Sequence, residues 1–259
     1  MPDWQDGDAW LAGGTWLYSE PQPQLRRLID LASLDWPALT IDAHGLRIAA
    51  TCTIARLDGL SPPAGWTAAP LIGQCCRAFL ASFKVWNTAT VGGNICMSLP
   101  AGPMISLAAA LDGVATIWTK GGGERRISIV EFVTGAQKNI LAPSDVLRQI
   151  ELPASALARR SAFRQLSLTP LGRSAALLIG TLSSGGPAFD LTVTASTPRP
   201  IRLSFPNLPT ANELRDAIAM KIPAAGYFDD IHGASAWRAH ITPLLAEEIR
   251  RELSGGAAP

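Results

Sequence analysis

The sequence predicts an α+β protein: many short strands interleaved with amphipathic helices, and a change of organisation near Pro153. Two kinds of segment lead there. Short apolar runs closed by glycine or proline read as strands, and segments with apolar residues three and four apart read as helices. A third observation is size. With 259 residues, 47% hydrophobic and only 17% charged, the chain has enough apolar side chain for one large core or two smaller ones.

In chain order, Trp10–Thr15 reads as a strand entering a tight glycine turn, and Pro23–Ser33 as a helix with Leu25, Leu28 and Ile29 on one face. Leu39–Asp42 and Leu46–Ala50 read as strands joined at His44-Gly45, followed by a short helix over Thr53–Leu57. Pro62 and Pro63 break the chain. Gly73–Phe83 then reads as a helix, Thr90–Asn94 as a second glycine turn between two helices, and Ile105–Leu111 as an apolar helix delayed by Pro100 and Pro103. Val114–Thr119 and Arg125–Ser128 read as strands joined by the loop Gly121-Gly122-Gly123, and Ile129–Phe132 and Leu147–Leu152 close the region. Beyond Ser161 a small sheet is expected, including Leu191–Ala195 and Ile201–Phe205, then helices over Asn212–Met220 and Ser235–Leu253. In the last, Trp237, Ile241, Leu244, Leu245 and Ile249 share helical spacing and read as a core face. Only the Gly-Ala-Pro tail is of low complexity.

Charge and cysteine usage narrow the functional classes. Lys and Arg number 22 against 21 Asp and Glu, without a basic run, so a nucleic-acid partner is not expected. The stretch Met1–Glu20 lacks the basic and apolar regions of a secretory signal and reads as mature protein. The chain's greasiest segment, Met104–Val114, is about half the roughly 20 apolar residues of a membrane helix, so no membrane span is expected. Cys52, Cys75, Cys76 and Cys96 form no C-x-x-C pair and read as buried free thiols of a reducing compartment, not as a metal or cluster site. His44, His232 and His240 have no spacing that marks a triad or a metal site. Mean hydropathy of +0.18 with eight tryptophans predicts apolar surface to be covered by partners.

The chemistry-bearing features are two glycine pairs. Leu11-Ala12-Gly13-Gly14-Thr15-Trp16 follows a strand, and Thr90-Val91-Gly92-Gly93-Asn94 lies between helices. A backbone that wraps a pyrophosphate needs residues that tolerate positive φ and carry no Cβ in the way. Thr15, Thr90 and Asn94 add neutral donors. Neither G-x-G-x-x-G nor the P-loop pattern occurs, so a Rossmann or NTPase site is not expected.

Together, Ala12-Gly13-Gly14-Thr15 and Asn87-Thr88-Ala89-Thr90-Val91-Gly92-Gly93-Asn94 resemble the FAD-binding medium subunit of the xanthine dehydrogenase/carbon monoxide dehydrogenase family, the molybdenum hydroxylases. The likeness continues through Ala49-Ala50-Thr51-Cys52-Thr53-Ile54, Leu111-Asp112-Gly113, Asp145-Val146-Leu147, Ile150-Glu151-Leu152-Pro153, Ser161-Ala162-Phe163-Arg164-Gln165, Ser235 and Trp237-Arg238. It spans nearly the whole chain in order.

The resemblance implies a two-subdomain FAD-binding fold of the vanillyl-alcohol oxidase/PCMH type over residues 1–153, with subdomains at about 1–60 and 61–153, and a C-terminal sheet-and-helix domain over 154–259. It implies that residues 11–16 and 90–94 grip FAD, and that Leu147 and Arg164 fall close to the flavin ring. Pro103 stands where the family usually has an aspartate bonded to the adenosine ribose, and Trp86 where an arginine is common. No catalytic residue and no metal ligand is expected in this chain. The implied partners are a [2Fe-2S] small subunit, a large subunit with the molybdenum cofactor, and an external electron acceptor. The implied location is cytoplasmic, with export through a partner's signal left open.

Overall fold

The computed structural model of the chain describes residues 3–255; Met1, Pro2 and the Gly-Ala-Pro tail at 256–259 lie outside the described residues. The chain opens with β1 (Asp8–Leu11) and β2 (Arg27–Asp30), which pair in parallel with Leu11 opposite Asp30. A hairpin of β3 (Leu39–Asp42) and β4 (Gly45–Ala49) follows, then α1 (Ile54–Asp58), α2 (Pro70–Ala78), α3 (Phe83–Trp86), α4 (Val91–Met97) and α5 (Pro103–Ala110). Next come β5 (Val114–Trp118), β6 (Glu124–Ser128), α6 (Ile129–Phe132), the small hairpin β7 (Val133–Gly135) and β8 (Lys138–Asn139), and β9 (Val146–Pro153). After α7 (Ala154–Leu157), the strands β10 (Arg160–Leu166), β11 (Ala176–Leu182), β12 (Phe189–Thr194) and β13 (Ile201–Phe205) precede α8 (Ala211–Lys221) and α9 (Ser235–Leu253).

Two antiparallel sheets carry the architecture: five strands in the order β3-β4-β9-β5-β6, and four in the order β10-β11-β12-β13. Alternation explains how each sheet finds its layers. On the five-stranded sheet, Ile48, Ile150 and Ala115 pair across β4, β9 and β5 and are each buried in one core with α1, α2, α4 and α5. The four-stranded sheet is a middle layer. Leu177, Ile179 and Ala195 join that same core, whereas Ala162, Leu178, Leu191 and Val193 face a second core with α8 and α9. A buried hydroxyl pair, Ser106 Oγ and Thr194 Oγ1 at 2.6 Å, ties α5 to β12.

Three sequence expectations need correction. Pro23–Ser33 is not a helix: it holds β2 and a short 3-10 turn over Leu31–Leu34. Pro21 and Pro23 stand at its entrance, and the ladder offered by β1 satisfies its backbone groups instead. The helix expected over Gly73–Phe83 starts earlier and ends at Ala78, because Pro70 takes the first helical position, where no N–H is needed. In α9, Leu244 is 49% exposed although its spacing placed it in the core. The buried stripe of that helix runs through Arg238, Thr242, Leu245, Ala246, Ile249 and Leu253.

Candidate cofactor site

The first glycine segment leaves β1 as an open turn. Gly14 has φ +68°, a left-handed conformation that glycine adopts without a Cβ penalty. Downstream, the Tyr18 N–H donates to the Gly14 carbonyl at 2.9 Å and the Ser19 N–H to the Trp16 carbonyl at 3.0 Å, closing the turn on its far side. Among the described residues, the N–H groups of Gly13, Gly14, Thr15 and Trp16 meet no acceptor within the protein. Consecutive free N–H groups around a left-handed residue form a concavity for an anion. The turn is half-buried at Gly13 and Gly14 and open at Thr15.

Thr90–Asn94 is not a turn. Thr90 is the N-cap of α4, its hydroxyl accepting from Gly93 N–H at 3.0 Å, so Gly92 and Gly93 lie inside the helix. Three further N–H groups are engaged within the protein: Val91 donates to the Cys52 carbonyl at 2.8 Å, Gly92 to the Ala50 carbonyl at 3.0 Å, and Asn94 to the Thr90 carbonyl at 3.0 Å. The segment is thus a capped helix start where a turn was expected, and the backbone N–H groups of residues 91–94 are committed to the fold. Asn94 Oδ1 also accepts from Met104 N–H at 3.1 Å, capping α5 behind Pro103.

The two segments nevertheless meet. A Cβ on Gly13 would collide with the Thr88 carbonyl, and one on Gly92 with Ala50, so both glycines mark close backbone approaches. The Ile54 N–H donates to the Ala89 carbonyl at 3.0 Å and Thr53 bridges Thr90, which fixes this seam. Sequence reading did not single out Ala50 and Thr53, although both lie in the stretch 49–54 that carries part of the resemblance. It also missed Tyr18, whose exposed ring is what a Cβ on Gly14 would strike, at 2.6 Å.

Leu147 and Arg164 part company. Leu147 is buried on β9, next to Arg148, whose carbonyl receives the Ala50 N–H at 3.0 Å, so it belongs to the layer beneath α4. Arg164 lies on the face of the four-stranded sheet that carries α9, held by Glu248 at 2.7 Å and Glu252 at 2.8 Å.

The thiols carry no charge at neutral pH. Burial pushes Cys52, Cys76 and Cys96 up to about 12 and Cys75 well above its ordinary value. Among the described residues no group of three or more His, Cys, Asp or Glu is placed to hold a metal ion. No helix of the described residues is long and apolar enough to cross a membrane.

In a mixed helix-and-sheet fold, the glycine turn at residues 13–16 leaves consecutive N–H groups open to an anion at the seam with residues 88–89. The free N–H groups of residues 13–16 fit the pyrophosphate of FAD. Residues 5–155, more than half of the chain, match the family described as the FAD binding domain in molybdopterin dehydrogenase, and the chain belongs to that family. It is thus an FAD-carrying oxidoreductase component, as the sequence resemblance implied. Solved structures agree on the fold. Carbon monoxide dehydrogenase from Oligotropha carboxidovorans superposes with a TM-score of 0.80 at 19% identity, covering 97% of this chain and 91% of that one. Quinoline 2-oxidoreductase from Pseudomonas putida 86 gives 0.77 at 19% identity, over 98% and 91%. Carbon monoxide dehydrogenase from Hydrogenophaga pseudoflava gives 0.75 at 19%, over 95% and 88%. No curated protein matches the sequence.

Proposed function

We propose that this chain is the electron outlet of a heteromeric molybdenum hydroxylase that oxidises an aldehyde or a heterocycle. Partner subunits carry the molybdenum cofactor and [2Fe-2S] clusters, and an external acceptor takes the electrons. The assembly works in the cytoplasm. The observation that carries the reading is the array of N–H groups at residues 13–16 that meet no acceptor among the described residues, braced on Thr88 and Ala89 by Gly13. FAD, when bound, supplies the redox chemistry, so the chain needs no acid-base pair of its own.

The chain's share is to bind and to orient. Leu11, Ala12 and Trp16 hold the turn at the end of β1, and Gly13, Gly14 and Thr15 present donors to the pyrophosphate. Thr90, Val91, Gly92 and Gly93 form the wall behind it, where the N–H groups serve the fold and the Asn94 amide nitrogen remains as a donor. Leu147 supplies apolar backing from β9. Arg164, paired on the α9 face, is left out of the proposed site.

The test is re-oxidation of the co-expressed complex after reduction by dithionite. With Gly14→Val the complex is expected to lose FAD and to hand electrons to an added acceptor at least about tenfold more slowly, while its metal centres still bleach. Re-oxidation at the wild-type rate in the FAD-depleted complex would sink the outlet reading.

A further inference from the structure

On β9, Arg148 has no counterpart on β5. Thr116 pairs with Gln149 and Ile117 with Leu147, so the strand bulges at Arg148. The guanidinium there lies 4.2 Å from the ring centre of Trp36 and 5.6 Å from that of Trp118. The two indoles stand edge to face at 5.4 Å, and all three side chains are half-buried. Among the described residues no carboxylate is within ion-pair reach of Arg148 and no acceptor receives its guanidinium N–H groups. The carboxylate on the same strand, Glu151, is committed to Arg126, Gln149 and Thr116. Arg164, Arg202 and Arg238 show the contrast, each being comparably or more deeply buried and each paired with a carboxylate. Burial also holds the Arg148 guanidinium below its ordinary value.

We infer that Arg148, framed by Trp36 and Trp118, is a docking anchor for a carboxylate on a partner chain of the assembly. The argument is charge complementarity. A half-buried cation stacked on two aromatic faces, with no carboxylate of its own chain in reach, presents solvent-facing donors, and an acceptor closing over it supplies the counter-charge the chain does not. The planar fork matches a carboxylate in two parallel hydrogen bonds. Arginine and tryptophan are also among the residue types enriched at interface hot spots, where the partner completes their desolvation.

The inference rests on the reading of this chain as one subunit of a larger enzyme, and FAD content reports on that reading separately. The experiment measures the dissociation constant between the purified FAD-loaded chain and the remaining subunits, for wild type, Arg148→Met and Arg148→Gln. Expected is at least about tenfold weaker binding in both variants, with FAD content unchanged and both variants folded. The salt dependence of wild-type binding should exceed that of the variants. Equal affinity and equal salt dependence overturn the proposal. A change confined to self-association of the chain also overturns it, in favour of a second copy on this face. If Arg148→Met does not fold, Arg148→Gln, closer in shape and polarity, gives the same reading.

Discussion

At Gly13 and Gly14 two different physical demands sit side by side. Gly13 needs the absence of a Cβ because the Thr88 carbonyl occupies that space, and Gly14 needs it because φ is +68°. Gly93 has neither demand: a Cβ there would meet only the Thr90 hydroxyl at 3.0 Å, in a helix where alanine is favoured by about 1 kcal/mol. Gly93→Ala is therefore expected to keep its FAD, with stability unchanged or slightly raised, whereas Gly14→Val loses FAD. The FAD-to-protein ratio from the visible spectrum checks both, and loss of flavin in Gly93→Ala would mean that the second segment binds through its backbone after all. The thiols make a second case at this scale. Because burial holds them protonated well above neutral pH, native protein at pH 8 is expected to resist iodoacetamide at all four cysteines and to react after unfolding. Mass spectrometry of the intact chain counts the labels, and rapid native labelling of Cys52 or Cys76 would contradict the packing described.

Among the elements, α4 shows how a capped helix start can be read as a turn. Thr90 caps the helix through its hydroxyl, so Thr90→Val is expected to cost about 1 kcal/mol and to lower the melting temperature by about 2–4 °C in scanning calorimetry. An unchanged melting temperature would show the cap to be idle. The motif Thr-Val-Gly-Gly-Asn is compatible with either a turn or a capped helix; what decides is the pair of carbonyls at Ala50 and Cys52 that take the first N–H groups, and these come from far away in sequence. The same non-local logic explains β2, whose backbone pairs with β1 although its apolar spacing suited a helix. Strands β3, β5 and β6 were legible because alternation and glycine loops are local signals. Arg164 was not, since the sequence gives no sign that Glu248 and Glu252 would reach it from α9.

In the whole molecule, the four-stranded sheet is joined to the rest by apolar contact under α5, by the buried Ser106–Thr194 hydroxyl pair and by an ionic cluster. Asp112, at the end of α5, meets Arg159 at 2.5 Å and is also bonded to Arg202, while Asp190 on β12 holds Arg202 at 2.8 Å and Arg159 at 3.5 Å. The four charges alternate and are mostly shielded, so removing one leaves its neighbours short of a partner. For Asp190, burial alone would raise the carboxyl pKa, but hydrogen bonds from Arg202 and Ser204 overcome that and hold it below its ordinary value of 3.8. A carboxyl depressed in the folded state contributes stability that is fully present above 3.8 and is lost as pH falls through the lower, folded-state value. Asp190→Asn is accordingly expected to cost about 2 kcal/mol near neutral pH, the range for a hydrogen bond to a charged group. The gap to wild type should hold from pH 7 to about 5 and shrink below 3.8, where the unfolded carboxylate takes up its proton before the folded one does. Urea unfolding followed at several pH values measures this directly. A cost that stays constant down to pH 3 would assign the loss to packing around β12, and the ionic cluster would then not be what couples the sheet to α5.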